Sequence, residues 1–510
     1  MSQPVDARAQ DVGVLPDSSM DHQANEARKE KSRVSAFFTV IFSGFALLSD
    51  GYQVGVLSLV NVCFSRLYPA QFTSEVSTRI SNSLFVGCII GQIGFGFICD
   101  RVGRKVGLML TTFLVIIGAA LCAGAYGAGG SIEGMFWALT VYRGILGVGV
   151  GGEYPCSSAS ASEAADEVLP GRRGMLFVFV TNFVIDLGFV VSAMFPLILG
   201  AAGCSYEVIW RTSFAFGVLP PLSVMYFRFK MDNSQIFKKN SMRKNVPYWL
   251  ILKRYWRYLL GTCGCWFFYN FISYPFGIFA GTIIDNGTGK ANPTFVETAQ
   301  WMLLLNCFYL PGAVGGALAS DKLGRKRTMA LGFLMQGILG LLLGIFYRRL
   351  LEIFPLFVVL YGIFMMWGEF GPGDMLGLVS AEIYPTAIRG TAYGWSAAIG
   401  KFGAFVGTQV FKTAVDSFGK GDTTLGQSRV FMLGSGLALL GACFAYILIP
   451  DYSKKGLHEE DIDFKRYLEE NGYDLSLFGQ GTDHDAVMDD EELASAQPGE
   501  KMEYFENEKH

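Results

Sequence analysis

The chain has 510 residues, of which 51% are hydrophobic and only 17% charged, against roughly 25% charged residues in ordinary soluble domains. That balance excludes a typical soluble enzyme or a nucleic-acid binder and points to a chain dissolved largely in lipid. The formal net charge of −3 hides a split: the segment from Asp451 onward is strongly acidic, with clusters such as Asp489-Asp490-Glu491-Glu492, so the rest is basic.

The first thirty-odd residues are polar and contain no cleavable signal peptide, so the first apolar stretch must itself enter the membrane. Stretches of about 20 apolar residues, enough to cross the hydrocarbon core, occur near 36–62, 80–99, 106–126, 135–160, 174–199, 209–228, 257–284, 299–319, 328–347, 354–381, 390–412 and 429–449. The expected fold is therefore an all-α membrane protein of twelve transmembrane helices in two six-helix bundles. Its parts are an N-terminal segment (1–34), a first bundle (35–229), a basic central loop (230–256), a second bundle (257–450) and an acidic tail (451–510). Lys and Arg crowd the loops after the even-numbered spans, and Arg28, Lys29, Lys31 and Arg33 precede the first. Both termini are then expected in the cytoplasm. Asn286-Gly287-Thr288, a glycosylation sequon, falls in a loop this topology places outside.

One pattern occurs in both halves. Asp100-Arg101-Val102-Gly103-Arg104-Lys105 follows span two, and Asp321-Lys322-Leu323-Gly324-Arg325-Lys326 follows span eight. A second match joins Glu163 and Pro170-Gly171-Arg172-Arg173-Gly174, after span four, to Glu382, Pro385 and Arg389-Gly390 after span ten. Recurrence at corresponding positions marks an internal repeat of the kind found in secondary transporters. The charged members Asp100, Arg101, Arg104, Asp321, Arg325, Glu163, Glu382 and Arg389 are candidates for ion pairs that lock one access state and break in the other.

Ten Cys lie mostly within apolar runs without a C-x-x-C pair, and all four His are in the polar termini. Neither a disulfide framework nor a metal site is expected, and no cofactor. Proton chemistry in the membrane must fall to carboxylates. A membrane-embedded enzyme is disfavoured because no intramembrane His is present to activate a nucleophile.

These features resemble the major facilitator superfamily over nearly all of residues 35–450. Gly151-Gly152-Glu153-Tyr154-Pro155 in span four looks like the signature of its phosphate:proton symporters. Phe370-Gly371-Pro372, Glu382, Pro385 and Gly400-Lys401-Phe402-Gly403 resemble the same family. Trp266-Phe267-Phe268-Tyr269-Asn270-Phe271 through Tyr274-Pro275-Phe276-Gly277, the Gly-Pro-Gly-Asp of span ten and Tyr467-Leu468-Glu469-Glu470-Asn471-Gly472-Tyr473-Asp474 narrow the similarity to fungal glycerophosphodiester permeases. The resemblance implies a proton-coupled plasma-membrane symporter for glycerophosphocholine or glycerophosphoinositol. Inorganic phosphate symport is the alternative, and a nutrient-sensing receptor on a transporter scaffold is a third reading. The expected partners are a small phosphodiester, protons and membrane lipids, with the chain acting as a monomer.

Ionisable side chains inside spans are costly, so each is a candidate for function. Asp50 in span one and Arg143 in span four are expected at similar depth and should pair, either as a coupling element or as a fixed salt bridge. Glu153 lies about 15 Å along the helix from Arg143, in a Gly-rich stretch suited to proton exchange. By resemblance, Asp50 belongs to the proton pathway, and Glu153 and Tyr154 serve proton transfer and phosphate binding.

Lys401 is the natural anion anchor, flanked by glycines. Trp266, Asn270 and Tyr274 are spaced by four on one helical face and offer indole, amide and hydroxyl groups to phosphate oxygens. The family has an acid where Asn270 stands, and a neutral amide suits a diester monoanion better. Asn182 and Asp186 share a face of span five, where the family has a phosphate-binding glutamine; either occupies its place. Asp186 is also a candidate for proton coupling. Glu369 and Asp374 flank Gly371-Pro372-Gly373, a helix break of the sort that lines cavities. With Tyr361, Trp367 and Trp395 nearby, they are expected to hold inositol hydroxyls or a choline cation.

Overall fold

The computed structural model describes residues 44–168, 172–230, 235–242, 246–287, 293–451, 457–475 and 478. Among these, ten helices are long and apolar enough to cross a membrane. They are α1 (Gly44–Leu67), α2 (Ser74–Arg101), α3 (Arg104–Ala123), α4 (Ile132–Ala165, its helix continuing to Val168), α5 (Arg173–Ala201), α6 (Tyr206–Lys230), α8 (Phe295–Lys322), α9 (Arg325–Glu352), α10 (Phe354–Glu382) and α12 (Thr423–Leu448). Two more, α7 (Tyr248–Ile278) and α11 (Arg389–Gly419), are 31 residues each and complete the expected twelve. They are less apolar because they spend positions on Tyr, Trp, Asn, Gly, Ser and Lys. The two pack against each other, and α11 also lies along α2 of the first half, so lipid does not demand an apolar surface from them.

The halves meet through α2 on α11 and α5 on α8, the same pairing read in both directions. The repeated basic loops lie together at one end, here the loop end; the opposite one is the far end. Both loops turn on a glycine with positive φ, Gly103 at 139° and Gly324 at 86°, a region closed to most side chains. That requirement, not only charge, explains why the glycine recurs. Thr73, Ser205, Thr294 and Asp422 cap the far-end starts of α2, α6, α8 and α12.

Two boundaries differ from expectation. The basic loop is shorter than 230–256, because α7 begins at Tyr248 and carries Lys253, Arg254 and Arg257 on its first turns. Aromatic neighbours Tyr248, Trp249, Tyr255 and Trp256 suit this stretch to a membrane interface. Beyond α12, Leu457–Glu470 forms a helix whose Leu457, Phe464 and Leu468 are buried at the loop end. Its Asp461 accepts hydrogen bonds from the backbone N–H and hydroxyl of Thr386, both 2.7 Å; burial pushes this carboxyl up from its ordinary value. Glu460 accepts from the Tyr255 hydroxyl at 2.5 Å. The acidic run 489–492, Thr288 and the side chain of Asn286 lie outside the described residues. The ten cysteines form no disulfide.

Candidate functional site

Three of the helices that line the centre of the bundle break midway. α5 is interrupted at Thr181 and α8 at Phe308, while α10 passes through a π-turn at Glu369–Gly373 that contains Pro372. Such breaks turn polar groups toward an interior. Next to them lies a cavity of about 80 Å³, room for two or three waters at about 30 Å³ each. Tyr154, Asn182 and Asp186 of the first half line it together with Trp266, Tyr269, Asn270, Tyr274 and Glu369 of the second. To take a substrate it must widen.

One end is cationic. Lys401, 1% exposed, donates to the Tyr274 hydroxyl, and its ammonium stands 3.9 Å from the Tyr274 ring centre and 5.0 Å from that of Tyr154. The sequence-predicted anchor and both tyrosines are thus brought together from three helices and both halves. Trp266 donates its indole N–H to Ser380 at 3.0 Å, and the Asn270 amide donates to the Trp266 carbonyl at 2.7 Å. That leaves the Asn270 oxygen buried without a hydrogen-bond partner.

The other end is acidic. The Asn182 amide donates to Glu369 at 3.1 Å and to Asp374 at 2.7 Å, and the Tyr269 hydroxyl donates to Glu369 at 2.5 Å. Asp186, on the Asn182 face of α5, feels both Glu369 and Asp374, and neither of its buried oxygens has a hydrogen-bond partner among the described residues. Gly316 of α8 makes room for this cluster, since a Cβ there would meet a carboxylate oxygen of Asp374. The expected aromatics are elsewhere. Tyr361 is buried in the core with its hydroxyl on the Phe276 carbonyl, Trp367 packs on Phe370, and Trp395 is 43% exposed. Tyr269 and Tyr309 take their place beside the acids. Both were legible as residues but not as neighbours.

The expected Asp50–Arg143 pair is not formed. Arg143 donates to the Gln53 carbonyl at 2.9 Å, while both Asp50 oxygens lack a hydrogen-bond partner among the described residues. The reason is depth. α1 runs on to Leu67, which sets Asp50 about 25 Å from the far end of its helix against about 16 Å for Arg143 in α4. Asp50 instead feels Glu153, Arg228 and Lys401. Glu153, expected in a stretch suited to proton exchange, has a cationic partner. It pairs with Arg228 of α6, which donates to it at 2.8 Å, and accepts from Thr111 at 2.7 Å and from Ser157. Arg228 sits at the edge of its apolar run and reads as a loop charge, so sequence reasoning missed it.

At the loop end the two repeated motifs lock across the halves. Asp100 accepts from the backbone N–H groups of Gly390 and Thr391 at 2.9 and 2.6 Å, and thereby caps α11. Arg104 pairs with Asp100 at 2.6 Å and with Glu163 at 3.0 Å, and donates to the Thr386 carbonyl at 3.2 Å. Arg389 pairs with the same Glu163 at 3.0 Å. The second copy mirrors this: Asp321 accepts from the N–H of Met175 at the start of α5, and Arg325 and Arg173 pair with Glu382 at 3.1 and 2.9 Å. Anions at helix N-termini gain from the helix dipole. Arg101 stands apart, bonded to the Tyr248 hydroxyl at 2.8 Å. The far end is held more lightly, by a partly exposed Arg66–Asp285 pair at 3.6 Å and hydrogen bonds such as Asn306 to the Phe189 carbonyl at 2.8 Å.

Two halves, broken helices and a cavity between them describe a transporter scaffold, and the family model for sugar (and other) transporters matches residues 36–245 and 237–464. The chain belongs to that family. It is similar to glycerophosphoinositol permease 1 of Candida albicans, 43% identical over 85% of this chain and 82% of the relative. It is also similar to the glycerophosphocholine permease GIT4 of the same organism, 38% identical over 95% and 91%. A proton:xylose symporter structure superimposes with a TM-score of 0.69 at 19% identity, over 86% of this chain and 99% of the other. That likeness establishes the major facilitator fold. Like its relatives, the chain is a multi-pass membrane permease and not an enzyme.

Proposed function

We propose that this chain is a proton-coupled plasma-membrane symporter that imports glycerophosphodiesters by alternating access, as a monomer with both termini in the cytoplasm. The observation that carries the reading is the polarity of the groups around the cavity: Lys401 stands behind the lining residues Tyr154 and Tyr274, while the lining acids Asp186 and Glu369 are joined by Asp374 behind Asn182. A glycerophosphodiester has the matching polarity: a phosphate monoanion and, beyond it, a polyol or cationic head group. Its phosphate would sit on Lys401, Tyr154 and Tyr274, near Trp266. The free Asn270 oxygen would accept a glycerol hydroxyl. The head group would reach Asn182, Tyr269, Glu369 and Asp374.

Coupling then follows from charge balance. Asp50 competes with the substrate for Lys401, so a proton on Asp50 leaves the ammonium to the phosphate. Asp186 is the second candidate carrier. Glu153, neutralised by Arg228, is better cast as a tie between α4 and α6. The ion pairs at the loop end would form the cytoplasmic gate, and their rupture would open the site inward. Asn286 falls within the short helix Ala280–Gly287 after α7, not in a loop, and remains a candidate glycosylation position on the side assigned to the outside.

Uptake of labelled glycerophosphocholine, glycerophosphoinositol and inorganic phosphate in cells without their own carriers tests the proposal. Accumulation of a diester that a protonophore abolishes is the expected result. Transport of phosphate alone would favour the phosphate symporter, and signalling without uptake would favour a receptor.

A further inference from the structure

A second cavity lies outside the transport path. α2 and α4 of the first half diverge from α11 of the second toward the far end, leaving a groove of about 910 Å³. At its mouth are two bases, Arg79 and Lys412, and two acids, Glu75 and Asp416; deeper in, the lining turns to Val86, Ile90 and Val148. Val86 and Ile90 are 44% and 59% exposed, on helices that lipid surrounds. From Arg79 to Ile90 is about 16 Å along α2, one half of a hydrocarbon core about 30 Å thick.

The mouth has an unmet need. The Arg79 guanidinium lies over Trp137, 3.8 Å from the ring centre, and its Nε and Nη2 are buried without a hydrogen-bond partner among the described residues. Across the groove the Asn82 amide donates to Gln409 at 3.0 Å, and the Asn82 oxygen has no partner. Buried donors without acceptors are costly, and a guanidinium fork matches two oxygens of a phosphate.

We propose that this groove holds one glycerophospholipid of the far-end leaflet, its phosphodiester on Arg79 and an acyl chain along Val86, Ile90 and Val148. Lys412 adds positive charge for the phosphate, and Asp416 faces the amine of a zwitterionic head group. The lipid touches both halves, so its affinity depends on how far α11 stands from α2 and α4.

Mass spectrometry of the intact purified chain in detergent, titrated with phosphatidylcholine, tests this without any transport assay. One lipid should survive delipidation or rebind, and diacylglycerol, which lacks the phosphate, should not replace it. Arg79→Gln should weaken phosphatidylcholine binding about tenfold. Gly144→Leu should do the same by filling the groove, because a Cβ at Gly144 meets nothing closer than the Ser83 carbonyl at 3.8 Å; this variant decides the matter should Arg79→Gln fail to fold. Soluble glycerophosphocholine should not displace the lipid. Wild-type binding by either folded variant, equal binding of diacylglycerol, or displacement by glycerophosphocholine would overturn the assignment.

Discussion

The two ends of the central cavity are built in opposite ways. At the cationic end Lys401 is wrapped by the phenols of Tyr154 and Tyr274 and felt by the Asp50 carboxyl. At the acidic end Glu369 and Asp374 of α10 share the Asn182 amide, Glu369 also takes the Tyr269 phenol, and Asp186 of α5 has no hydrogen-bond partner among the described residues. The first end is suited to what all candidate substrates have in common, a phosphate. The second is suited to what distinguishes them. Recognition and discrimination are therefore expected to separate under mutation.

The largest effect should come from Lys401→Ala. It removes the lysine that faces the anion, and an unpaired buried charge costs about 3–5 kcal/mol, so uptake of every diester should fall at least about a hundredfold at normal surface expression. Lys401→Arg should recover a small part, because a guanidinium differs in shape and donor geometry. A normal rate in the alanine variant would remove the cationic end from the account.

Asp50→Asn should abolish uphill uptake and spare exchange. The amide imitates a protonated Asp50 and leaves Lys401 permanently available to phosphate. Counterflow of labelled against unlabelled substrate should persist while a proton gradient no longer drives accumulation. Loss of both would mean that Asp50 is needed for the fold.

At the acidic end, Glu369→Gln or Asp374→Asn should act selectively. Choline as head group predicts at least a several-fold loss of glycerophosphocholine uptake, because a desolvated carboxylate–cation contact is lost. Inositol predicts a milder change, since an amide still bonds a hydroxyl.

The two copies of the repeated loop sharpen the same comparison at smaller scale. Arg104 is buried in a network shared by Asp100, Glu163 and, through it, Arg389, whereas Asp321 in the second copy is 25% exposed. Arg104→Gln should therefore slow transport more than Arg325→Gln. Arg101→Gln, at the edge, should change it less than about twofold; a larger loss would place Arg101 in the gate.

Much of this was readable in the sequence. The recurring D-x-x-G-R-K hexapeptides mark the duplication, because the motif needs charge and a positive-φ glycine together. Lys401 and Glu369 stood out through the cost of charge in lipid. What the sequence hid was direction and depth. Arg228 closes the apolar run 209–228, and nothing in that run shows that its guanidinium lies on Glu153. Asp50 and Arg143 missed each other because α1 ends at Leu67 and not near residue 62. Tyr269 lies three residues beyond Trp266 and shares its side of the helix; a stripe including i+3 neighbours would have found it.

The central claim is that phosphate and head group are held by different ends of one cavity. Affinities of the purified protein for glycerophosphocholine and for inorganic phosphate, measured side by side in wild type and Glu369→Gln, test it most directly. The account predicts that the variant binds phosphate as wild type does and glycerophosphocholine at least several-fold more weakly. An equal loss for both ligands would contradict it.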